Sequence, residues 1–263
     1  MMYNTPAATA GLVGNMALDC LPEATSRRLW PHLQEVNLHQ HETLYDVGER
    51  VRYVYFPIEA VASGVLLMND GTMVETCLIG QEGIIGVNGA LCEYRSNNWM
   101  RVLLPGRAMR IRDDVLHLHF GSDETLRRLV LLYYQIRINH VSHRAVCNSR
   151  HRINERLATW LLMLDDRAGA GEIPLTQEMI ARQMGVRRAG INECIGGMQR
   201  AGMIEHTRGH IRLSNRAMIE RTACTCYKTF AAEMDWCRNQ RLALSGPVGE
   251  ATLTHGLRRP TFD

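Results

Sequence analysis

The side chains best suited to chemistry lie between Leu175 and Leu213, and what they can do is hydrogen-bond to a polyanion. The stretch LTQEMIARQMGVRRAGINECIGGMQRAGMI places Thr176 as a helix N-cap, Ile180 and Met184 facing inward, and Gly185 at a turn. A second helix starts near Arg187, buries Ile191, Cys194, Ile195 and Met198, and ends at Ala201-Gly202. Such a pair is a helix-turn-helix, and the hairpin around Arg208-Gly209-His210 supplies a wing. Outward on the second helix are Arg187, Arg188, Ala189, Asn192 and Glu193. Arginine forks onto phosphate or guanine, asparagine reads adenine, glutamate accepts from cytosine N4, and alanine touches at most a thymine methyl. Thr176, Gln177, Arg208 and His210 are candidates for phosphate contacts. Gly190, Gly196 and Gly197 in the same helix each cost about 0.8 to 1 kcal/mol against alanine, a local inconsistency.

Other reactive side chains form no comparable group. Eight cysteines, at 20, 77, 92, 147, 194, 224, 226 and 237, are scattered in the manner of a reducing compartment. His140, His143 and Cys147 share one helical face, and Cys224-Thr-Cys226 is a short pair without a partner pair. Both read as structural, so neither a metal nor a cofactor is expected. The acid pairs Asp113-Asp114, Asp123-Glu124 and Asp165-Asp166 sit where helix ends are expected. With no phosphate-binding glycine loop of the Walker type and no G-x-S-x-G elbow, an enzyme is not expected.

The 263 residues, 46% of them hydrophobic and 22% charged, suffice for a substantial core divided between two domains. No apolar run approaches the ~20 residues that span a bilayer. Because the N-terminal segment lacks a basic region and carries Asp19, a cytoplasmic protein without a signal peptide is expected. Net charge is +3, with Lys228 the single lysine. From Arg150 to Arg216, 11 arginines face 7 acids, a surplus of +4 that falls on the helix-turn-helix.

Between Leu38 and Arg112 the pattern alternates as short strands, punctuated by glycines and by the hairpin signal Asn69-Asp70-Gly71, which predicts an antiparallel sandwich or jelly roll. From Asp123 to Val146 helical spacing takes over, with Leu129, Leu132, Ile136, Asn139, His143 and Val146 on one seam that suits either a coiled-coil dimer or a single helix packed on its own domain. A second amphipathic helix, RINERLATWLLMLDDRAG, ends near Gly169. The expected fold class is therefore α+β. Its expected segments are a flexible N-terminus over 1–20, a sensor domain over 21–120, a dimerisation helix over 121–148, a winged helix-turn-helix over 149–226 and an extension over 227–263. That extension opens with the helical-looking YKTFAAEMDWCRNQRLAL.

From about Leu38 to Tyr227, this order of elements, together with RINERLATWLLML, LTQEMIARQMGVRRAGINE and TRGHIRL, resembles the Crp/Fnr family of bacterial transcription regulators. The resemblance implies a cyclic-nucleotide-binding-like sandwich, a homodimer formed by the long helix, and a palindromic operator in double-stranded DNA. RNA polymerase is a further candidate partner. It places Arg188, Ala189 and Glu193 at the three main base-reading positions. In the family's nucleotide pocket a Gly-Glu pair meets the ribose and an Arg-Ser or Arg-Thr pair meets the cyclic phosphate. Here Val87 follows Gly86, so the carboxylate is missing, and Arg95-Ser96 follows more closely than the family spacing. A regulator independent of cyclic nucleotide is expected. The alternatives are a nucleotide-responsive regulator using Gly86, Arg95 and Ser96 in an altered pocket, and a winged-helix protein-interaction module.

Overall fold

The computed structural model describes residues 12–91, 95–169 and 171–239. The chain enters through α1 (Met16–Asp19) and α2 (Glu23–Leu29), then forms β1 (Gln34–Leu38), β2 (Thr43–Tyr45), β3 (Tyr53–Pro57), β4 (Val61–Leu67) and β5 (Met73–Ile79). After the short α3 (Val87–Leu91), strands β6 (Trp99–Leu104) and β7 (Gly106–Arg112) complete two antiparallel sheets. Their orders are β1-β7-β3 and β2-β6-β4-β5. Alternating apolar side chains of both, including Tyr45, Tyr55, Ala62, Ile79, Met100 and Val102, fill the space between them. The Asn69-Asp70-Gly71 signal closes the β4–β5 hairpin, with Gly71 at φ +82° and Met68 N–H bonded to Thr72 O.

Residues 12–20 are not a loose leader. Asn15 caps α1 and its amide donates to the carbonyls of Pro57 and Gly83, while Ala17, Leu18 and Cys20 are buried in the sensor core. The expectation of flexibility over 1–20 is thus corrected for 12–20; residues 1–11 lie outside the described residues. Apolar Leu18 and Leu21 beside a capping asparagine are the local signal for this anchoring.

Helix α4 (Asp113–Ser122) leads to α5 (Glu124–Arg150), whose N-cap Asp123 accepts from the backbone of Thr125 and Leu126 and pairs with Arg28. The 27 residues of α5 pass along the sensor and reach the second domain. That domain comprises α6 (Ile153–Ala168), β8 (Glu172–Ile173), α7 (Gln177–Met184), α8 (Arg188–Arg200), β9 (Ile204–Thr207), β10 (His210–Leu213) and α9 (Arg216–Thr222). Helix α10 (Cys226–Asn239) then packs back on α5 and α6, burying Phe230 against His140 at 4.2 Å between ring centroids. The C-terminal extension therefore begins as part of the core.

The domains join through one apolar cluster in which Val61, Leu78, Leu103 and Leu104 of the sandwich meet Leu157, Trp160, Leu161 and Leu164 of α6. Within it lies a fully buried carboxylate, Glu75 of β5. Its Oε1 accepts from Trp160 Nε1 and pairs with Arg144 Nη1, both at 3.0 Å, and its Oε2 accepts from Ser63 Oγ at 3.0 Å. The same hydroxyl also lies 3.0 Å from Gln183 Oε1 of α7, so its single proton is shared between two acceptors. Burial pushes the Glu75 carboxyl up, opposed chiefly by Arg144. A second buried pair, Arg167 of α6 with Glu82 of the sensor at 2.8 Å, fastens the other end of the contact. There Gly80 is required, since a Cβ would come within 2.9 Å of Arg167 Cγ.

Two outcomes follow. Arg144→Met, which strands Glu75 in the core, lowers the unfolding free energy by about 3 to 5 kcal/mol in urea titrations, whereas Glu75→Gln, which keeps hydrogen-bonding partners, costs less. Glu233 of α10, half-buried with Oε2 unpartnered, is pushed up to about 7 by burial, against the pull of Arg137. The folded state thus holds its proton where the unfolded chain has lost it, and stability falls as pH rises from about 4.5 to 7. Glu233→Gln should raise the melting temperature at pH 8 and leave it unchanged at pH 4.

Candidate nucleic-acid interface

Helix α7 is capped by Thr176, whose Oγ1 accepts from Met179 N–H at 3.2 Å. It ends in a Schellman turn: Gly185 is left-handed at φ +63°, Val186 N–H reaches Ala181 O and Gly185 N–H reaches Arg182 O. This turn sets the angle at which α8 departs, and Ile180, Met184, Ile191, Ile195 and Met198 then meet in the core. Half-buried Cys194 packs against the same cluster.

With that face buried, the other is exposed. Arg187, Arg188, Ala189, Asn192 and Glu193 all point to solvent, and among the described residues no intramolecular ion pair engages Arg187, Arg188 or Glu193. In the wing, exposed Arg208 and His210 flank Gly209, which lies about one van der Waals contact from Thr176: a Cβ there would sit 4.0 Å from Thr176 Cγ2. The wing turn and the start of α7 thus share one side. Gln199 of α8 donates to His206 O at 3.2 Å and holds α8 to the wing. Two unpaired guanidinium groups at the start of a helix, beside its unsatisfied N–H groups, form a surface that attracts phosphate. The β4–β5 hairpin lies close by, for Gly71, Thr72 and Met73 line a cleft with Arg187 and Arg188.

The other expected sites are placed as follows. Gly86, at φ +78°, leaves no room for a Cβ, which would fall 2.8 Å from Val51 Cγ1 and 2.9 Å from Tyr53 O. Arg95 donates to Gly48 O at 2.9 Å, and buried Ser96 donates to Asn98 O at 2.6 Å. All three hold loops of the sandwich. On α5, Leu129 is buried in the sensor core and Leu132 packs against it, while His143 meets Phe230. Ile136 and Asn139 are half-buried. The seam read from the sequence therefore faces its own chain at Leu129 and Leu132 but is exposed at Val146, and the other exposed apolar side chains of the helix are Leu131, Ile138 and Val141. Packing of α4 and α10 beside α5 turns the helix in this way, which periodicity alone does not register.

His140 also faces Phe230, and burial together with Arg137, Arg167 and Arg144 holds its imidazole well below its usual pKa. Cys147 is not grouped with His140 and His143. It meets His151, Cys224 and Cys226, with one ligand atom of each within 4.8 Å of the others. Sequence reasoning missed this group, although Cys147 and His151 are spaced one helical turn apart.

A profile of the Crp-like helix-turn-helix domain matches residues 155–222. Residues 155–222 thus form a Crp-like helix-turn-helix domain. Among solved structures it is similar to FixK2 from Bradyrhizobium japonicum (19% identity, 73% of this chain and 98% of that one, TM-score 0.62). It is also similar to TTHB099, a CRP-family transcriptional regulator from Thermus thermophilus (18%, 72% and 96%, 0.61). A third is CLP from Xanthomonas campestris, a c-di-GMP responsive global regulator (15%, 73% and 99%, 0.59). No curated protein sequence matches the chain. The profile runs from α6 to α9, so α8 is the second helix of that helix-turn-helix.

For the glycines of α8, no side chain among the described residues demands their small size. A Cβ at Gly190 or Gly197 would meet nothing within 4 Å, and one at Gly196 only the tip of Arg200. Gly190→Ala and Gly197→Ala should each stabilise the free protein by about 0.8 to 1 kcal/mol in denaturant melts. An accompanying loss of DNA affinity would assign them to close approach to DNA.

Proposed function

We propose that this Crp/Fnr-type regulator acts as a homodimer that recognises a palindromic operator without a cyclic nucleotide. What carries the reading is the outward face of α8, where Arg187, Arg188, Ala189, Asn192 and Glu193 stand exposed, with Thr176, Gln177, Arg208 and His210 at its margins as phosphate contacts. Arg188 reads guanine and Glu193 accepts from cytosine on this reading. The exposed stripe of Leu131, Ile138, Val141 and Val146 on α5 supports a second copy as the occupant, since four large apolar side chains along one helix are best buried against their own equivalents about a two-fold axis. Nucleotide independence is supported by the structural employment of Gly86, Arg95 and Ser96. RNA polymerase remains a partner implied by the resemblance. No helix among the described residues is long and apolar enough to cross a membrane, and we place the protein in the cytoplasm.

Selection of bound sequences from random duplex DNA, with and without cyclic nucleotides, tests this. A two-fold symmetric site with half-sites ~34 Å apart is expected in both arms. Enrichment only with nucleotide, or none at all, overturns the reading. On the selected site, Arg188→Ala should cost about 1 to 3 kcal/mol and relax preference at one base pair per half-site. Ile138→Glu should shift the protein to monomer in sedimentation and weaken binding with it.

A further inference from the structure

We propose that Cys147, His151, Cys224 and Cys226 bind one zinc ion. Two pairs of residues supply the ligands. Cys147 and His151 lie four residues apart at the end of α5, hence on one face, and Cys224 and Cys226 bracket the entry to α10. Cys147 Sγ lies 3.5 Å from Cys224 Sγ, and Cys226 Sγ lies 3.7 Å from His151 Nδ1. A tetrahedral ion with Zn–S of ~2.3 Å and Zn–N of ~2.0 Å has edges of ~3.8 Å between sulfurs and ~3.6 Å from sulfur to nitrogen. The two close pairs match these edges, and all four ligand atoms lie within 4.8 Å of one another, so small side-chain shifts bring them onto one ion. All three thiols are buried, so the site is dry, and four protein ligands leave no position open, as in a structural zinc site. A cluster of several irons takes its cysteines on separate metals, and four ligand atoms within 4.8 Å suit a single ion better.

Surrounding groups fit the same assignment. Thr159 Oγ1 accepts from Cys224 N–H at 3.1 Å, leaving its own proton free to point at Cys224 Sγ, 3.0 Å away. Such outer contacts orient a ligand and favour its thiolate. Three thiolates and a neutral imidazole around a divalent ion carry one net negative charge. The half-buried Arg156, whose guanidinium senses Cys147 and Cys224, balances it. Arg156 Nη2 also donates to Met184 O at the end of α7, 3.1 Å away. The ion would thus staple α5 to α10 across the His151-Arg152 joint, where the long helix gives way to the DNA-binding domain, and lean through Arg156 on the helix-turn-helix itself. Soft thiolates with one imidazole in a tetrahedron select zinc over magnesium or calcium.

The test uses the untagged full chain, purified reduced. Elemental analysis should find one zinc per chain, released by a thiol-binding mercurial and read with a chromophoric chelator. Cobalt(II) in its place should show the intense visible bands of a tetrahedral thiolate site. Cys226→Ser and His151→Ala should each lower zinc content well below one per chain and lower the melting temperature, while Cys194→Ser, outside the group, changes neither. A reduced wild-type chain that takes up no zinc on titration overturns the proposal. So does zinc retained in full by both ligand variants, or a Cys147–Cys224 disulfide as the only modification of the group. None of these readouts involves DNA, so failure here leaves the DNA-binding reading standing.

Discussion

The arrangement of the molecule turns on one carboxylate removed from water. Glu75 brings a carboxylate into a junction lined largely by Val, Leu and Trp, and a buried charge persists only where donors meet it. Those donors come from different elements: Arg144 from the long helix, Trp160 from α6 and Ser63 from the neighbouring strand, with Gln183 of α7 next in the chain of contacts. Satisfying one side chain therefore fixes the sensor, the long helix and the helix-turn-helix with respect to one another. An apolar residue there would suffice for adhesion. A carboxylate adds direction, because a shift of any one partner leaves a charge unpaired in a low-dielectric interior.

The exposed face of α8 is held from behind. Ile191, Ile195 and Met198 bury one side of α8, the Schellman turn at Gly185 sets its departure, and Gln199 ties it to the wing. Among the described residues no ion pair engages Arg187, Arg188 or Glu193 on the front, whereas acids elsewhere in the domain are engaged, as Asp165 and Asp166 are by Arg216. The front thus presents two guanidinium groups against one carboxylate. The β4–β5 hairpin, lodged beside Arg187 and Arg188, puts a sensor element within reach of the same face.

A second fastening gathers at the far end of the long helix. There α5 stops, two residues intervene, and α6 begins. A joint so short transmits orientation only if something prevents it from swivelling. Helix α10 folds back over it, placing Phe230 on His140 and two cysteines beside Cys147 and His151. The extension that the sequence left without a role is thus a brace on the connection between the domains.

Local pattern by itself determined much of this protein. Periodicity marked the inward residues of α7 and α8, Gly185 and Thr176 marked their ends, Asn69-Asp70-Gly71 marked a hairpin, and the outward face followed as the complement. These are short-range properties, fixed by which backbone angles and which faces a few neighbouring residues allow. Only the tertiary structure decided the rest. It turned Leu129 inward and Leu131 and Ile138 outward, because the neighbours of α5 come from distant segments. It showed Gly86, Arg95 and Ser96 at work on loops, because hydrogen-bond partners such as Gly48 are identified only once the chain has folded back. And it brought Cys147 to Cys224, 77 positions away, which spacing along the chain has no means to convey.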